Sequence, residues 1–135
     1  DRKITAMQDL PRLEKIAIGS PRSVPAGEYA MGALRKAGLD RQLSRKLVMA
    51  RDVREGLMYA ERGEVDGAFV YKTDLLQAKR SRILFVVPRN LYPPISYPQG
   101  LTVAGAKKPE AAAFHAFLQS AEAQAVLARY GFTPK

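Results

Sequence analysis

Apolar residues along the chain fall into short blocks whose spacing switches between strand-like and helix-like periods. Lys15-Ile16-Ala17-Ile18 is a compact apolar run broken by Gly19-Ser20-Pro21, which predicts a strand and then a turn. Ser23-Val24-Pro25-Ala26 opens a helix, since proline suits the first helical turn, where its missing N–H has no intrahelical partner. Ala30, Ala33, Leu34 and Ala37 keep one face of that helix inward, and Gly38 is placed to end it as the C′ residue. Lys46-Leu47-Val48-Met49 predicts a second strand. Asp52-Val53-Arg54-Glu55 has the form of a capping box, with Asp52 at the N-cap and Glu55 reaching back. Leu57, Met58 and Ala60 give the following helix its buried stripe, and it stops near Gly63.

The alternation continues. Gly67-Ala68-Phe69-Val70-Tyr71 predicts a buried strand, and Thr73-Asp74 caps a short helix through Ala78. Ile83-Leu84-Phe85-Val86-Val87 predicts another strand, followed by a loop holding Pro88, Pro93, Pro94 and Pro98. Leu101-Thr102-Val103-Ala104 predicts one more strand. Pro109 starts a helix with Phe114, Phe117 and Leu118 on one side. Ser120 caps a second helical piece carrying Val126, Leu127 and Tyr130, ended by Gly131. Strands alternating with helices predict an α/β fold with a mostly parallel sheet flanked by helices. Ligands in such sheets sit beyond the carboxyl ends of the strands. Three places qualify: the turn after Ile18, the turn after Met49, and Tyr71.

Composition narrows the class. A chain of 135 residues with 47% hydrophobic residues suits an ordinary folded domain. No run approaches the roughly 20 consecutive apolar residues of a membrane span, so a soluble protein is expected. With no cysteine, disulfides and Cys-based zinc sites are excluded, while the compartment stays open. The chain begins at Asp1 and shows no leader pattern, so either a signal and more were removed or this is part of a longer chain. The net charge of +9 attracts anions generally. Its basic residues are scattered and no aromatics interleave with them, so a solvated surface is expected and no nucleic-acid partner.

Candidate chemistry gathers at the strand ends. Two predicted helices begin directly after strands, at Pro25-Ala26 and Asp52-Val53, and each helix start carries unpaired N–H groups and partial positive charge. Tips that share one crevice make an anion site of peptide donors, to which Tyr71 can add a hydroxyl. Every α/β domain has helix starts at that edge, so the pattern alone leaves an ordinary structural reading open. Other residues carry less. His115, the only histidine, has no acidic or histidine partner at helical spacing. Glu61 and Glu64 flank a helix end as a solvated face, and Ser20 and Ser23 lack a base. The Gly63–Gly67 stretch has too few ligand oxygens for a calcium loop. No catalytic residue or cofactor is assigned, and binding without catalysis is expected.

The wording of these segments adds a resemblance. Ile16-Ala17-Ile18-Gly19-Ser20-Pro21, Val24-Pro25-Ala26-Gly27-Glu28-Tyr29-Ala30, Asp52-Val53-Arg54 and Gly67-Ala68-Phe69-Val70-Tyr71-Lys72-Thr73-Asp74 resemble the second lobe of the periplasmic molybdate-binding proteins of ABC transporters. The likeness runs on through Tyr97-Pro98 and ends at Arg129-Tyr130-Gly131-Phe132. It implies a periplasmic-binding-protein-like lobe over residues 1–96 and a return strand with helices over 97–135 that packs on a first lobe. No stretch here matches that first lobe or its serine donors.

The resemblance also implies a site. The oxyanion is held by neutral donors, and those of the second lobe correspond to the backbone N–H groups of Ala26 and Val53 and the hydroxyl of Tyr71. The ligand is molybdate or tungstate, a deprotonated tetrahedral dianion that only accepts hydrogen bonds. A cage of donors suits it and penalises protonated phosphate, whose O–H finds no acceptor. No other metal is implied. The implied setting is periplasmic uptake with an ABC-transporter permease as partner. The alternative is an effector-sensing domain of a transcriptional regulator. Ser20 stands where an acidic residue is common and Glu28 where an apolar one is common, and Glu28 is expected to point outward. Apolar residues of the return segment (Phe114, Phe117, Leu118, Val126, Leu127) predict an exposed stripe, and hence a homo-oligomer or a tail folded back on itself.

Overall fold

A computed structural model describes residues 3–133. They form two compact units, one running to Pro94 and one starting at Ile95.

The first unit is built on a parallel three-stranded sheet in the order β2-β1-β3, with β1 over Ile16–Gly19, β2 over Leu47–Ala50 and β3 over Gly67–Ala68. Ile16 lies opposite Leu47 on one side and Gly67 on the other. All four β1 residues are buried, as a central parallel strand covered on both faces requires. Side chains alternate across the strand, so its neighbours identify the layers. Ile16 joins Ala33 and Leu34 of helix α1, Pro25–Lys36, in one core cluster. Ala17 faces helix α3, Val53–Glu61, whose Gly56 would place a Cβ 3.8 Å from those of Ala17 and Ala50. The two helices therefore cover opposite faces. Both stop as the glycines predict: Gly38 and Gly63 take φ of 72° just past the caps Ala37 and Arg62.

One packed segment was not expected. Met7–Arg12 form a 3₁₀-helix, with Pro11 inside it, and bury Met7 and Leu10 in the same cluster as Ile16 and Leu34. The Asp9 carboxylate accepts from the N–H groups of Thr5 (3.0 Å) and Ala6 (3.1 Å), which holds its pKa below the usual 3.8. The ammonium of half-buried Lys46 donates to the carbonyls of Pro11 (2.7 Å) and Leu13 (2.8 Å), tying this segment to the start of β2. A short helix α2, Asp40–Leu43, carries Leu43 into the core.

Two expected strands change here. The ladder at β3 ends after Ala68, so Phe69, Val70 and Tyr71 leave the sheet; only the Phe69 N–H continues it, donating to the Ala17 carbonyl at 2.9 Å. The chain then turns into a 3₁₀-helix, Lys72–Gln77, in place of the helix expected from Thr73 to Ala78. Residues 83–87 are not a strand: β3 offers only a two-residue ladder, and Leu84, Phe85 and Val87 pack on the core as irregular chain.

Glu61 and Glu64 act apart. The Glu61 carboxylate accepts from the Ser81 hydroxyl and from the N–H groups of Lys79 (3.0 Å) and Arg80 (3.0 Å), and these bonds hold its pKa below 4.5. Glu64 faces Arg62 at 3.8 Å. A depressed folded pKa means the Glu61 contribution is present above the unfolded value and is lost as pH falls through the folded one. Acid titration of stability below about pH 4.5 is therefore expected to be shallower in Glu61→Gln than in the original chain. Parallel curves in urea melts at successive pH values would contradict this.

The second unit is helical: α4 over Val103–Ala106, α5 over Pro109–Phe117 and α6 over Ala121–Arg129. The strand expected over Leu101–Ala104, and with it the return strand, is replaced by α4. The Thr102 hydroxyl caps that helix, accepting from the Gly105 N–H at 2.9 Å. Ser120 caps α6 through the Ala123 N–H (3.2 Å), and Gly131 follows with φ of 88°. Tyr97 meets Phe132 edge-on, with ring centroids 5.8 Å apart. Phe114 (61%), Phe117 and Val126 are exposed as expected, while Leu118 and Leu127 are half-buried. Among the described residues no helix is long and apolar enough to cross a membrane.

Candidate functional site

The carboxyl edge of the sheet is built turn by turn. After β1, the Ser20 N–H donates to the Ala50 carbonyl at 2.8 Å, latching this turn to the end of β2. The Ser20 carbonyl accepts from Ser23 (3.1 Å) and Val24 (2.8 Å), which delivers Val24 as the N-cap of α1. Pro25 has no N–H, and the N–H groups of Gly27 and Glu28 donate to the Val24 carbonyl at 2.9 and 3.1 Å. Among the described residues, Ala26 is therefore the donor at this tip with no backbone acceptor. Two glycines allow the helix to start so close to the strand. A Cβ on Gly27 would overlap the Gly19 carbonyl, and one on Gly19 would lie 2.6 Å from Val24 Cγ1.

The second tip follows β2. Asp52 is the N-cap of α3, and its Oδ1 accepts from the Glu55 N–H at 2.8 Å. The expected capping box is altered: Glu55 reaches one residue further back, to the Arg51 N–H (2.8 Å), and pairs with Arg51 Nε at 3.2 Å. The Gly56 N–H donates to the Asp52 carbonyl at 3.2 Å. Val53 and Arg54 are left as the tip donors with no backbone acceptor among the described residues.

Tyr71 stands on the same edge, three residues past β3 and not at the strand end itself. It is the N-cap of the following 3₁₀-helix, and its N–H donates to Asp74 Oδ2 at 2.8 Å. Glu28 is exposed in the first turn of α1. The charges of the three turns balance. Arg22 and Glu28 belong to the first, Arg51 and Arg54 with Asp52 and Glu55 to the second, and Lys72 and Asp74 to the third. A cavity of about 390 Å³ lies at the other end of the sheet, lined by Leu13, Glu14, Asp66 and Leu84. There Asp66 accepts from the N–H groups of Glu14 (2.8 Å) and Lys15 (2.9 Å), so it fixes the start of β1. Among the described residues no group of His, Cys, Asp and Glu is placed to hold a metal ion.

Residues 1–133 match the family described as bacterial extracellular solute-binding protein. The chain belongs to that family. It is 41% identical over 98% of its length to the Bacillus subtilis protein named "Putative ABC transporter substrate-binding lipoprotein YvgL", covering 51% of that protein. It is 36% identical over 90% of its length to the molybdate-binding protein ModA of Escherichia coli, covering 47% of it. A solved structure titled "substrate binding domain of putative molybdenum ABC transporter from Clostridium difficile" superposes on the whole chain with a TM-score of 0.90 and 32% identity, covering 60% of that chain. This solute-binding chain spans about half the length of the curated relatives it matches. Family and fold thus agree with the expectation of a parallel α/β lobe of the molybdate-protein kind. Solute-binding proteins are not an enzyme family.

Two features of the edge escaped the sequence reading. The Gly19–Gly27 contact was signalled only by a glycine two residues after Pro25. The Arg51–Glu55 pair has an i, i+4 spacing that a capping-box reading of Glu55 hides.

Proposed function

We propose that this chain supplies half of a binding site for a tetrahedral oxyanion of the molybdate or tungstate kind, for uptake through an ABC-transporter permease outside the cytoplasmic membrane. The backbone N–H groups of Ala26 and Val53 and the Tyr71 hydroxyl are its donors, and no residue acts as a catalyst. The observation that carries this reading is a pair of helix tips whose N–H groups have no backbone acceptor among the described residues, on neighbouring strand ends, in a chain whose relatives include molybdate-binding proteins. Peptide donors at helix starts suit an anion that offers only acceptors. Residues 1–96 supply the lobe in this reading, and residues 97–135 return toward another lobe. An effector-sensing role in a regulator gains nothing from relatives that are substrate-binding proteins.

Isothermal titration with molybdate, tungstate, sulfate and phosphate tests the reading. Molybdate and tungstate are expected to bind, weakly because only part of the donor shell is present, and phosphate less well. Equal heats for all four would reduce the site to a general anion sink. Tyr71→Phe is expected to weaken molybdate binding about tenfold, the worth of one hydrogen bond to a charged acceptor. An unchanged affinity would remove Tyr71 from the site.

The exposed Phe114, Phe117 and Val126 support the reading of α5 and α6 as an association surface, with a homo-oligomer as the expected state of this chain alone. Light scattering that gives a strictly monomeric mass at high concentration would contradict it.

A further inference from the structure

The three turns that follow the strands carry four cationic and four anionic residues, although the whole chain carries +9. At the α3 tip the balance has a definite structure. Arg51 stands two residues before Val53, and its side chain is 82% exposed, whereas the Glu55 side chain is only 16% exposed. Glu55 is fixed twice to the same residue, by the Arg51 N–H at 2.8 Å and by Arg51 Nε at 3.2 Å. Its own N–H is fixed by Asp52 at 2.8 Å. A cap needs only the main-chain bonds. The additional ion pair places a carboxylate against a guanidinium that would otherwise add its full charge to the helix tip.

We propose, resting on the oxyanion reading above, that Glu55 is a positioning residue that acts as an electrostatic counterweight to Arg51. It restrains the guanidinium and cancels its charge, so that the anion is selected by the geometry of peptide donors and not by a broad positive field. Long-range attraction serves every anion alike, whereas hydrogen-bond geometry distinguishes among them.

The test is a charge cycle titrated with sodium molybdate at low ionic strength, using Glu55→Gln, Arg51→Gln and the double variant. Glutamine keeps an oxygen for the Arg51 N–H. For an assumed charge-to-dianion distance of about 8 Å in a water-like dielectric, a unit charge changes affinity roughly fivefold. Glu55→Gln is therefore expected to tighten molybdate about fivefold and Arg51→Gln to weaken it by a similar factor, with the double variant close to the original. Both differences are expected to vanish near 1 M salt, where screening reaches about 3 Å. A purely structural role would weaken binding in both single variants. That outcome, or no movement in either while the original chain binds, overturns the counterweight alone. No molybdate heat from the original chain overturns the oxyanion reading and this proposal with it.

Discussion

Gly27→Ala is expected to destabilise the first unit by about 3 kcal/mol and to abolish the heat of molybdate titration. The added methyl would overlap the backbone carbonyl of Gly19, an atom with no side-chain freedom to move aside. Overpacking against flexible neighbours costs less, because rotamers absorb it. Here the start of α1 must lift from the end of β1, and the Ala26 N–H moves with it. Gly32→Ala is the matched control, since a Cβ there meets nothing within 4 Å in the same helix. That substitution is expected to stabilise by roughly 0.5–1 kcal/mol through the lower entropy of the unfolded chain. Urea melts of the two variants read both effects. Equal midpoints would show that the helix start tolerates displacement.

Leu34→Ala is expected to cost about 3 kcal/mol and to lower Tm by roughly 10 °C. Leu34 is fully buried (0%) and packs in one cluster with Ile16, Leu10 and Leu43, so its loss opens a cavity bordered by three separate segments. Segments held by different parts of the chain do not collapse together easily, which keeps the cavity open and the cost high. Since α1 also carries Ala26, affinity for molybdate is expected to fall with stability. A loss below about 1 kcal/mol by thermal melting would mean that the cluster repacks.

Elements bounded by strong punctuation were legible in the sequence. Gly38, Gly63 and Gly131 each end a helix with the positive φ that their positions predicted. The parallel pairing of β1 and β2 followed from apolar runs separated by a helical stretch. The misread elements share one cause. Four- or five-residue apolar runs suit a strand, a helix or a packed irregular segment equally well, and the decision rests on what lies beside them. Ile83–Val87 meets a neighbouring strand too short to extend the ladder, and Val103–Ala106 is pulled into a helix by one hydroxyl on Thr102. The 3₁₀-helix at Met7–Arg12 was hidden by Pro11, which ordinarily argues against helix.

The two helix starts at the strand ends were legible because helix starts are main-chain features marked by local sequence. The positions of Ala26 and Val53 follow from where helices begin, and a proline at one start and an aspartate at the other mark those points. Side-chain arrangements around them were less visible. Whether Glu55 reaches Asp52 or Arg51 depends on the path of the turn after β2, which no periodicity encodes.

The fully buried side chains are aliphatic or methionine; among the described residues the core places no phenylalanine or tyrosine in that class, and the chain has no tryptophan. Optical probes of this molecule therefore watch its periphery. Tyrosine emission follows the environment of rings such as Tyr71 and Tyr59, while far-ultraviolet ellipticity follows the helices laid on the sheet. Where the two signals separate on heating, the gap measures how far the ring-bearing periphery loosens before the aliphatic interior gives way.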